Sequence, residues 1–366
     1  MKASDCLLAL EMPPRPAVVG FDGFVDEMVT VVAERRSLES FEPVPDIATF
    51  GALISAAAGH SSLREIVVRD VHPGGCAVNL GDGLAALGVP VDCYATLGEP
   101  IHPAFSATLA RFRKSVSWGR EPGRTIALEF SDGKLMFSSV RQLAEFTPAD
   151  VRSRISDGAY ASSCREAAVI ALTDWSLYPH MTDVWKMLIQ EVYGTLGRRI
   201  PFLIDLVDPS SRSQADVLEM TRVLPLLETC GDVTLGLNGN EANILARLFS
   251  IPEAGDAEQS SVLATRLREV LGISRVAIHW IRFAVESGPQ GVATVEGPFC
   301  EKPLKSTGAG DRFNAGYILG LMADCAPETR LRLACGVSGF FVRNAFSPSR
   351  AELAEFLSAW ESGSLP

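Results

Sequence analysis

Short apolar runs rich in β-branched residues alternate along this chain with longer segments whose apolar positions recur every three or four residues. The runs at 17–21, 91–96, 168–172, 202–206, 233–237 and 276–280 predict buried strands. The segments at 76–87, 103–114, 179–193, 214–228 and 240–249 predict helices between them, and Pro103 suits the first turn of its helix. Beyond residue 310 helical patterns take over, at 311–322, 328–344 and 350–360. The predicted strands are apolar along their length, so both of their faces must be covered. That combination predicts an α/β fold, a mostly parallel central sheet with helices on both faces, whose ligands bind at the carboxyl ends of the strands.

One region breaks the rhythm. Extended runs at 125–130 and 134–138 flank the turn Ser131-Asp132-Gly133, a hairpin pattern. With the run at 66–71 they predict a small separate sheet, a lid assembled from parts of about 22–32, 64–73 and 115–140. Residues 37–61 read as an insertion with its own short helix. A chain of 366 residues, 47% of them hydrophobic, can bury a large core, in one domain carrying a small appendage.

The net charge of −11, with no basic tract longer than Arg35-Arg36 or Arg198-Arg199, argues against nucleic-acid or anionic-membrane partners. No apolar run approaches a membrane span, and no basic segment followed by a long apolar core opens the chain, so the expectation is a soluble, cytoplasmic protein. The eight cysteines are scattered without a C-x-x-C pair, which reads as free thiols in a reducing compartment.

The chemistry concentrates at Lys305-Ser306-Thr307-Gly308-Ala309-Gly310-Asp311-Arg312, directly before the apolar run that begins at Phe313. Three small residues at a helix N-terminus leave backbone N–H groups free to hold an anion. A carboxylate just behind such a site is repelled by the anion, so its presence points to chemistry rather than anchoring. Asp311 fits a base that takes a proton from a hydroxyl while Gly308, Ala309 and Gly310 hold the charge that develops opposite. Phosphoryl transfer needs that pair, since its catalysis is mostly positioning and electrostatics. No G-x-x-x-x-G-K-[ST] occurs, so a P-loop is unsupported.

Three elements in order resemble the PfkB/ribokinase family of carbohydrate kinases. They are the stretch from Lys305 to Ile318, the stretch Gly74-Gly75-Cys76-Ala77-Val78-Asn79 followed by Gly88 and Gly98, and Asn238-Gly239-Asn240-Glu241. The resemblance implies a ribokinase-like three-layer fold with a small β lid. It implies an ATP-dependent, Mg²⁺-requiring kinase acting on a hydroxyl of a small sugar or sugar-like molecule, with Asp311 as base. It places Gly75 and Asn79 near the sugar, Asn238 and Glu241 near Mg²⁺ and the phosphates, with Glu241 as the metal-associated carboxylate, and Thr307 and Asn344 on the nucleotide side. A sugar-binding Asp is expected after the first strand, and the loop Gly20-Phe21-Asp22-Gly23-Phe24-Val25-Asp26 offers both Asp22 and Asp26, with Asp26 preferred.

Several positions depart from the pattern. Gly81 stands where Ser, Thr or Ala is usual, and Arg312 replaces a small residue. Lys305 takes the place of an Asp that in cation-activated members helps hold a monovalent ion. Its ammonium either substitutes for that ion or is simply solvated. Relatives often dimerise through the lid, an option the resemblance extends to this chain. An ADP-dependent sugar kinase, a nucleoside kinase and a non-catalytic sugar sensor are the alternatives.

Overall fold

The computed structural model describes residues 3–9 and 15–365. Of the opening stretch read above as lacking a leader, residues 1–2 and 10–14 lie outside the described residues. The strands in chain order are β1 (Ala17–Gly20), β2 (Phe24–Arg35), β3 (Phe41–Pro43), β4 (Ile66–Gly74), β5 (Val91–Ala95), β6 (Lys114–Ser117), β7 (Gly123–Phe130) and β8 (Gly133–Ser139). They continue with β9 (Val169–Leu172), β10 (Phe202–Asp205), β11 (Val233–Asn238), β12 (Arg275–His279), β13 (Phe283–Gly288) and β14 (Gly291–Glu296).

Nine of these strands form one sheet in the order β14-β13-β12-β11-β10-β9-β1-β5-β6. The run from β12 to β6 is parallel, and β13 and β14 close one edge antiparallel. Side chains alternate between the faces. Val18, Ile170 and Leu172 enter a core with Trp185, Leu224 and Leu263. Ala17, Val19, Val169 and Ala171 enter a second core with Leu84, Ile318 and Leu333. Helices therefore cover both faces, as the continuous apolar runs require.

The second sheet has five strands, β3-β2-β7-β8 with β4 paired to β2. It has a small core of its own, Val29, Val31, Val44, Phe50 and Leu128. Phe50 comes from the helix Ile47–Ala56 inside the 37–61 insertion, capped by the Asp46 carboxylate accepting from the Thr49 N–H at 2.6 Å. The chain leaves the large sheet at Gly20 and enters the lid at Phe24, and it returns at Gly74, directly before the helix Cys76–Ala86. The functional loops thus sit at the junction of the two sheets.

Several expectations need correction. Residues 114–117 are not lid: they form β6, the far edge of the large sheet, paired with β5. The helix expected at 103–114 is only a 3₁₀ turn, Pro103–Phe105, and one α-turn, Ser106–Leu109. The helix expected at 214–228 is two, Gln214–Thr221 and Leu224–Cys230, because Pro225 in the first turn of the second cannot continue the first. The hairpin of β13 and β14 and the helix Ala257–Leu271 were not expected. Cys76, Cys93, Cys164, Cys230, Cys300 and Cys335 are free thiols. Among the described residues no helix is long and apolar enough to cross a membrane.

Candidate active site

The carboxyl ends of the parallel strands lie along one edge, and each is followed by a polar group. Asp22 follows β1, Asp174 follows β9, Asp205 ends β10, Asn238 ends β11 and His279 ends β12. The helix Ala309–Met322 starts over this edge with Gly308 as its N-cap at φ 87°, a left-handed conformation that glycine adopts without steric cost. Asp311 lies in its first turn and is 7% exposed. Burial, with the nearby Asp205 and Asp22 carboxylates, raises its pKa to about 7, while Arg312 and a hydrogen bond with Cys76 pull the other way. A carboxylate so tuned accepts a proton near neutral pH far better than an ordinary aspartate.

Two clefts meet at this turn. One, of about 820 Å³, lies against the second sheet and is the more polar, lined among others by Asp26, His72, Asn79, Lys134, Lys305 and Thr307. The other, of about 430 Å³, is mostly apolar and is lined by His279, Trp280, Pro298, Phe313, Gly339 and Val342. Pro303 and Ser306 border both, and Ala309 and Gly310 line the apolar one. The small-residue turn and its carboxylate therefore stand between a polar chamber that suits a polyol and an apolar slot that suits a planar base.

The Asp22 and Asp26 alternatives separate cleanly. Asp22 is fully buried: its carboxylate accepts from the backbone N–H groups of Cys76 and Ala77 (2.9 Å to Ala77) and from Thr173 Oγ1 at 2.5 Å. It caps the helix Cys76–Ala86 and is not among the residues that line the polar cleft. Asp26 lines the polar cleft, its pKa raised by burial and pulled back by Thr125, Lys305 and Lys134. Gly75 is the N-cap of the helix Cys76–Ala86, at φ 95°. Asn79, one turn on, lines the polar cleft, and its Nδ2 lies 3.5 Å from where a Gly308 Cβ would stand.

Asn238 and Glu241 form a reciprocal capping box on the helix Gly239–Leu248 (2.9 and 3.0 Å), so capping and function are not exclusive readings here. Burial raises the Glu241 pKa to about 8, with Asp205, Asp208 and Asp311 adding to it. Among the described residues no cluster of three His, Cys, Asp or Glu side chains is arranged to hold a metal directly. Glu241 therefore fits an ion reached through water better than one ligated from several side.chains at once.

Other expectations shift position. Thr307 lines the polar cleft rather than the apolar one. Asn344 is exposed and folds its amide back onto the Phe340 carbonyl at 2.9 Å, and the left-handed residue of that turn is Ala345, φ 62°. The apolar cleft is lined instead by Ser338, Gly339 and Val342, earlier on the same helix. Lys305 is exposed on the rim of the polar cleft, with Nζ 5.7 Å from the Phe341 ring. Its pKa is lowered by partial desolvation and by Arg312 and Lys134, while Asp26 opposes that shift.

Sequence reasoning missed the partners of Arg312 and Asp205. Arg312 donates to Asp82 Oδ2 at 2.9 Å and to Ser347 Oγ at 3.1 Å, and Asn314 Nδ2 donates to Asp205 Oδ2 at 2.6 Å. The available signal was an arginine and an asparagine inside an otherwise apolar helix, since buried polar groups require partners. His279 was missed as well. It packs on Phe313 with ring centres 4.7 Å apart, and burial lowers its pKa to about 4, so the ring is neutral at physiological pH.

Solved structures share this architecture. Arabidopsis thaliana ribokinase complexed with ribose and ATP superposes with TM-score 0.65 at 17% identity, over 94% of this chain and 98% of the other. Ribokinase from Thermotoga maritima gives TM-score 0.62 at 15% identity, over 94% and 99%. With the sequence elements above and the relatives below, fold and site define a carbohydrate kinase of the PfkB/ribokinase class, a phosphotransferase with an alcohol group as acceptor. A family model described as prokaryotic ketohexokinase matches residues 3–360. A curated ketohexokinase from Haloferax volcanii is 30% identical over 344 residues, 93% of this chain and 90% of the relative. The chain belongs to the prokaryotic ketohexokinase family and is an ATP-dependent sugar kinase.

Proposed function

We propose that this kinase phosphorylates a ketohexose, with the sugar in the polar cleft under the lid and the ATP base in the apolar cleft. The observation that carries the reading is the position of the Gly308–Gly310 turn and Asp311 where the two clefts meet. The ketohexose assignment comes from the relatives, both described as ketohexokinases.

In this reading Asp26 and Asn79 bind sugar hydroxyls, which a carboxylate and an amide do by accepting and donating at short range. Asp311 takes the proton of the attacking hydroxyl as its oxygen bonds to the γ-phosphorus. The bond from that phosphorus to the bridging oxygen breaks, and ADP leaves with the electron pair. The N–H groups at the start of the helix Ala309–Met322 hold the equatorial oxygens of the transferring group, aided by the positive end of the helix dipole. Mg²⁺ would neutralise charge on the ATP phosphates, and Glu241 with Asn238 would orient its waters. The donor set suits that role, because a buried carboxylate with a raised pKa gains most from a nearby cation.

The test is a coupled assay of ADP formation from ATP and Mg²⁺ across ketohexoses, aldohexoses, pentoses, sugar acids and nucleosides. Turnover is expected on a ketohexose and should fall by about 10³-fold or more in Asp311→Asn. Turnover only on another acceptor class would reject the ketohexose assignment. An Asp311→Asn variant at wild-type rate would reject the base.

A further inference from the structure

We propose that Arg312 is a catalytic residue whose guanidinium donates to the transferring phosphoryl group, and that Asp82 is the positioning residue that aims it. This rests on the kinase reading above.

The argument begins at Gly308. A Cβ built on it would stand 2.7 Å from Arg312 Nη1, 3.5 Å from Asn79 Nδ2 and 3.6 Å from Asp311 Oδ2. Two donors and the base thus converge on one point beside Gly308, so closely that no side chain fits there. The point lies at the helix N-terminus, beside the polar cleft that Asn79 lines. A phosphoryl oxygen bound next to that point, at contact distance from the Gly308 Cα, would be within reach of Nη1 and Nδ2, with the attacking hydroxyl losing its proton to Asp311.

The remaining guanidinium donors are already used. Nε donates to Ser347 Oγ at 3.1 Å and Nη2 to Asp82 Oδ2 at 2.9 Å, leaving Nη1 only a long 3.5 Å contact with the Gly308 carbonyl. The guanidinium also stacks over Phe341, 4.4 Å from its centre, and the residue is 6% exposed. A buried cation fixed on two sides and over its face, with one nitrogen turned toward the helix N-terminus at Gly308, is preorganised for charge that appears beside it.

The sequence builds this geometry on the neighbouring helix. Asp82 lies between Gly81 and Gly83 on the helix Cys76–Ala86, and a Cβ at Gly83 would meet the Ala315 methyl at 2.8 Å. The two helices can approach closely enough for Asp82 to reach Arg312 because that position lacks a side chain. Gly81, the departure from the family pattern, faces Phe112, whose ring would be 2.7 Å from a Cβ there. Asp82 is 9% exposed, takes a second ion pair from Arg111, and also accepts from Ser347 Oγ at 2.6 Å.

The test compares Arg312→Gln, Arg312→Lys and Asp82→Asn with wild type in the ADP assay, with thermal melts of each. For Arg312→Gln the expectation is a kcat fall of about 10²–10³-fold with the sugar KM changed less than about threefold. The acid limb of kcat/KM should move to higher pH, because Arg312 lowers the Asp311 pKa. Arg312→Lys keeps a charge but loses the planar fork, so it should retain part of the rate and leave the acid limb nearly in place. Asp82→Asn should lower kcat about tenfold while the acid limb stays. If Arg312→Gln melts cooperatively and turns over within threefold of wild type with an unmoved acid limb, the proposal is overturned. If that variant does not fold, Arg312→Lys and Asp82→Asn both at wild-type kcat overturn it equally. Wild type inactive on every acceptor would instead reject the kinase reading itself, so the two failures are distinguishable.

Discussion

Replacing Gly308 by alanine tests the geometry of the transfer point directly, and Gly310→Ala is its internal control. Gly308 has φ 87°, where an L-residue costs about 1–2 kcal/mol. For a chain of 366 residues, at roughly 2 cal/mol/K of unfolding entropy per residue, that is a melting-point fall of about 2 °C. The added methyl also occupies the point 2.7 Å from Arg312 Nη1 and 3.6 Å from Asp311 Oδ2. It would displace the oxygen these groups are arranged to hold, so kcat should fall by about 10²-fold or more, the scale of one lost preorganised donor. Gly310 lies inside the helix without a left-handed φ, and its Cβ would meet only His279 at an ordinary 3.6 Å. Gly310→Ala should therefore melt at or slightly above wild type, by up to about 1 kcal/mol, through reduced backbone entropy. Initial rates and calorimetric melts on both variants decide the matter. Gly308→Ala with more than a tenth of wild-type kcat would refute the placement of the transferring group. A stability loss in Gly310→Ala as large as in Gly308→Ala would refute the conformational argument.

Asp311 must be ionised to accept a proton and its pKa is raised to about 7, so kcat/KM should rise with pH through about 7 and level above it. A rate that is flat from pH 5 to 8 would contradict this. The raised values of Asp311 (from 3.8) and Glu241 (from 4.5, to about 8) mean the fold disfavours their ionised forms. That penalty is absent below the unfolded pKa values, grows as pH rises through about 4–8 and is complete above, so Asp311→Asn and Glu241→Gln should raise the melting temperature more at pH 8 than at pH 5. Asp26→Asn should raise the sugar KM about 10–100-fold, the worth of a hydrogen bond to a charged group, with little change in melting temperature. Asp22→Asn should instead lower the melting temperature through its lost helix cap.

The chemistry was more legible in the sequence than the edges of the fold. The turn at Gly308, the carboxylate behind it and the capping box at Asn238 and Glu241 are local: a few adjacent residues carry the conformation and, in the proposed reading, the reaction. The central strands were legible because burial on both faces leaves continuous apolar runs such as Ala17-Val18-Val19. The edge strand β6, Lys-Ser-Val-Ser, has no such run, because its residues are only half-buried. The helix Ala257–Leu271 was legible in principle, since Leu263, Ala264, Leu267 and Leu271 share its buried face. What no single segment could show is pairing at long range. Asp82 and Arg312 are 230 residues apart, and Asp22 reaches Thr173 across 151. The choice between Asp22 and Asp26 was of this kind, because both follow the same strand and only the tertiary partners of each carboxylate separate a cap from a cleft residue.

A net charge of −11 is at first sight a poor background for binding a nucleotide polyanion. The site answers this by distance rather than by composition. Charges beyond a Debye length of about 8 Å at physiological ionic strength are largely screened, so what the phosphates meet is local. There the chain places a helix N-terminus, Arg312 held under Phe341, and Lys305 and Lys134 along the polar cleft. The buried acids on the same edge, Asp205, Glu241 and Asp311, oppose that field while ionised, and burial raises the pKa of all three, with neighbouring carboxylates adding to it at Glu241 and Asp311. In the proposed reading, a divalent cation arriving with the nucleotide would reverse the balance, favouring ionised carboxylates and releasing protons from them. Asp311 would then reach its reactive form most fully once the nucleotide charge beside it is compensated. The arrangement would couple the readiness of Asp311 to an occupied site, which a single aspartate at its ordinary pKa would not do.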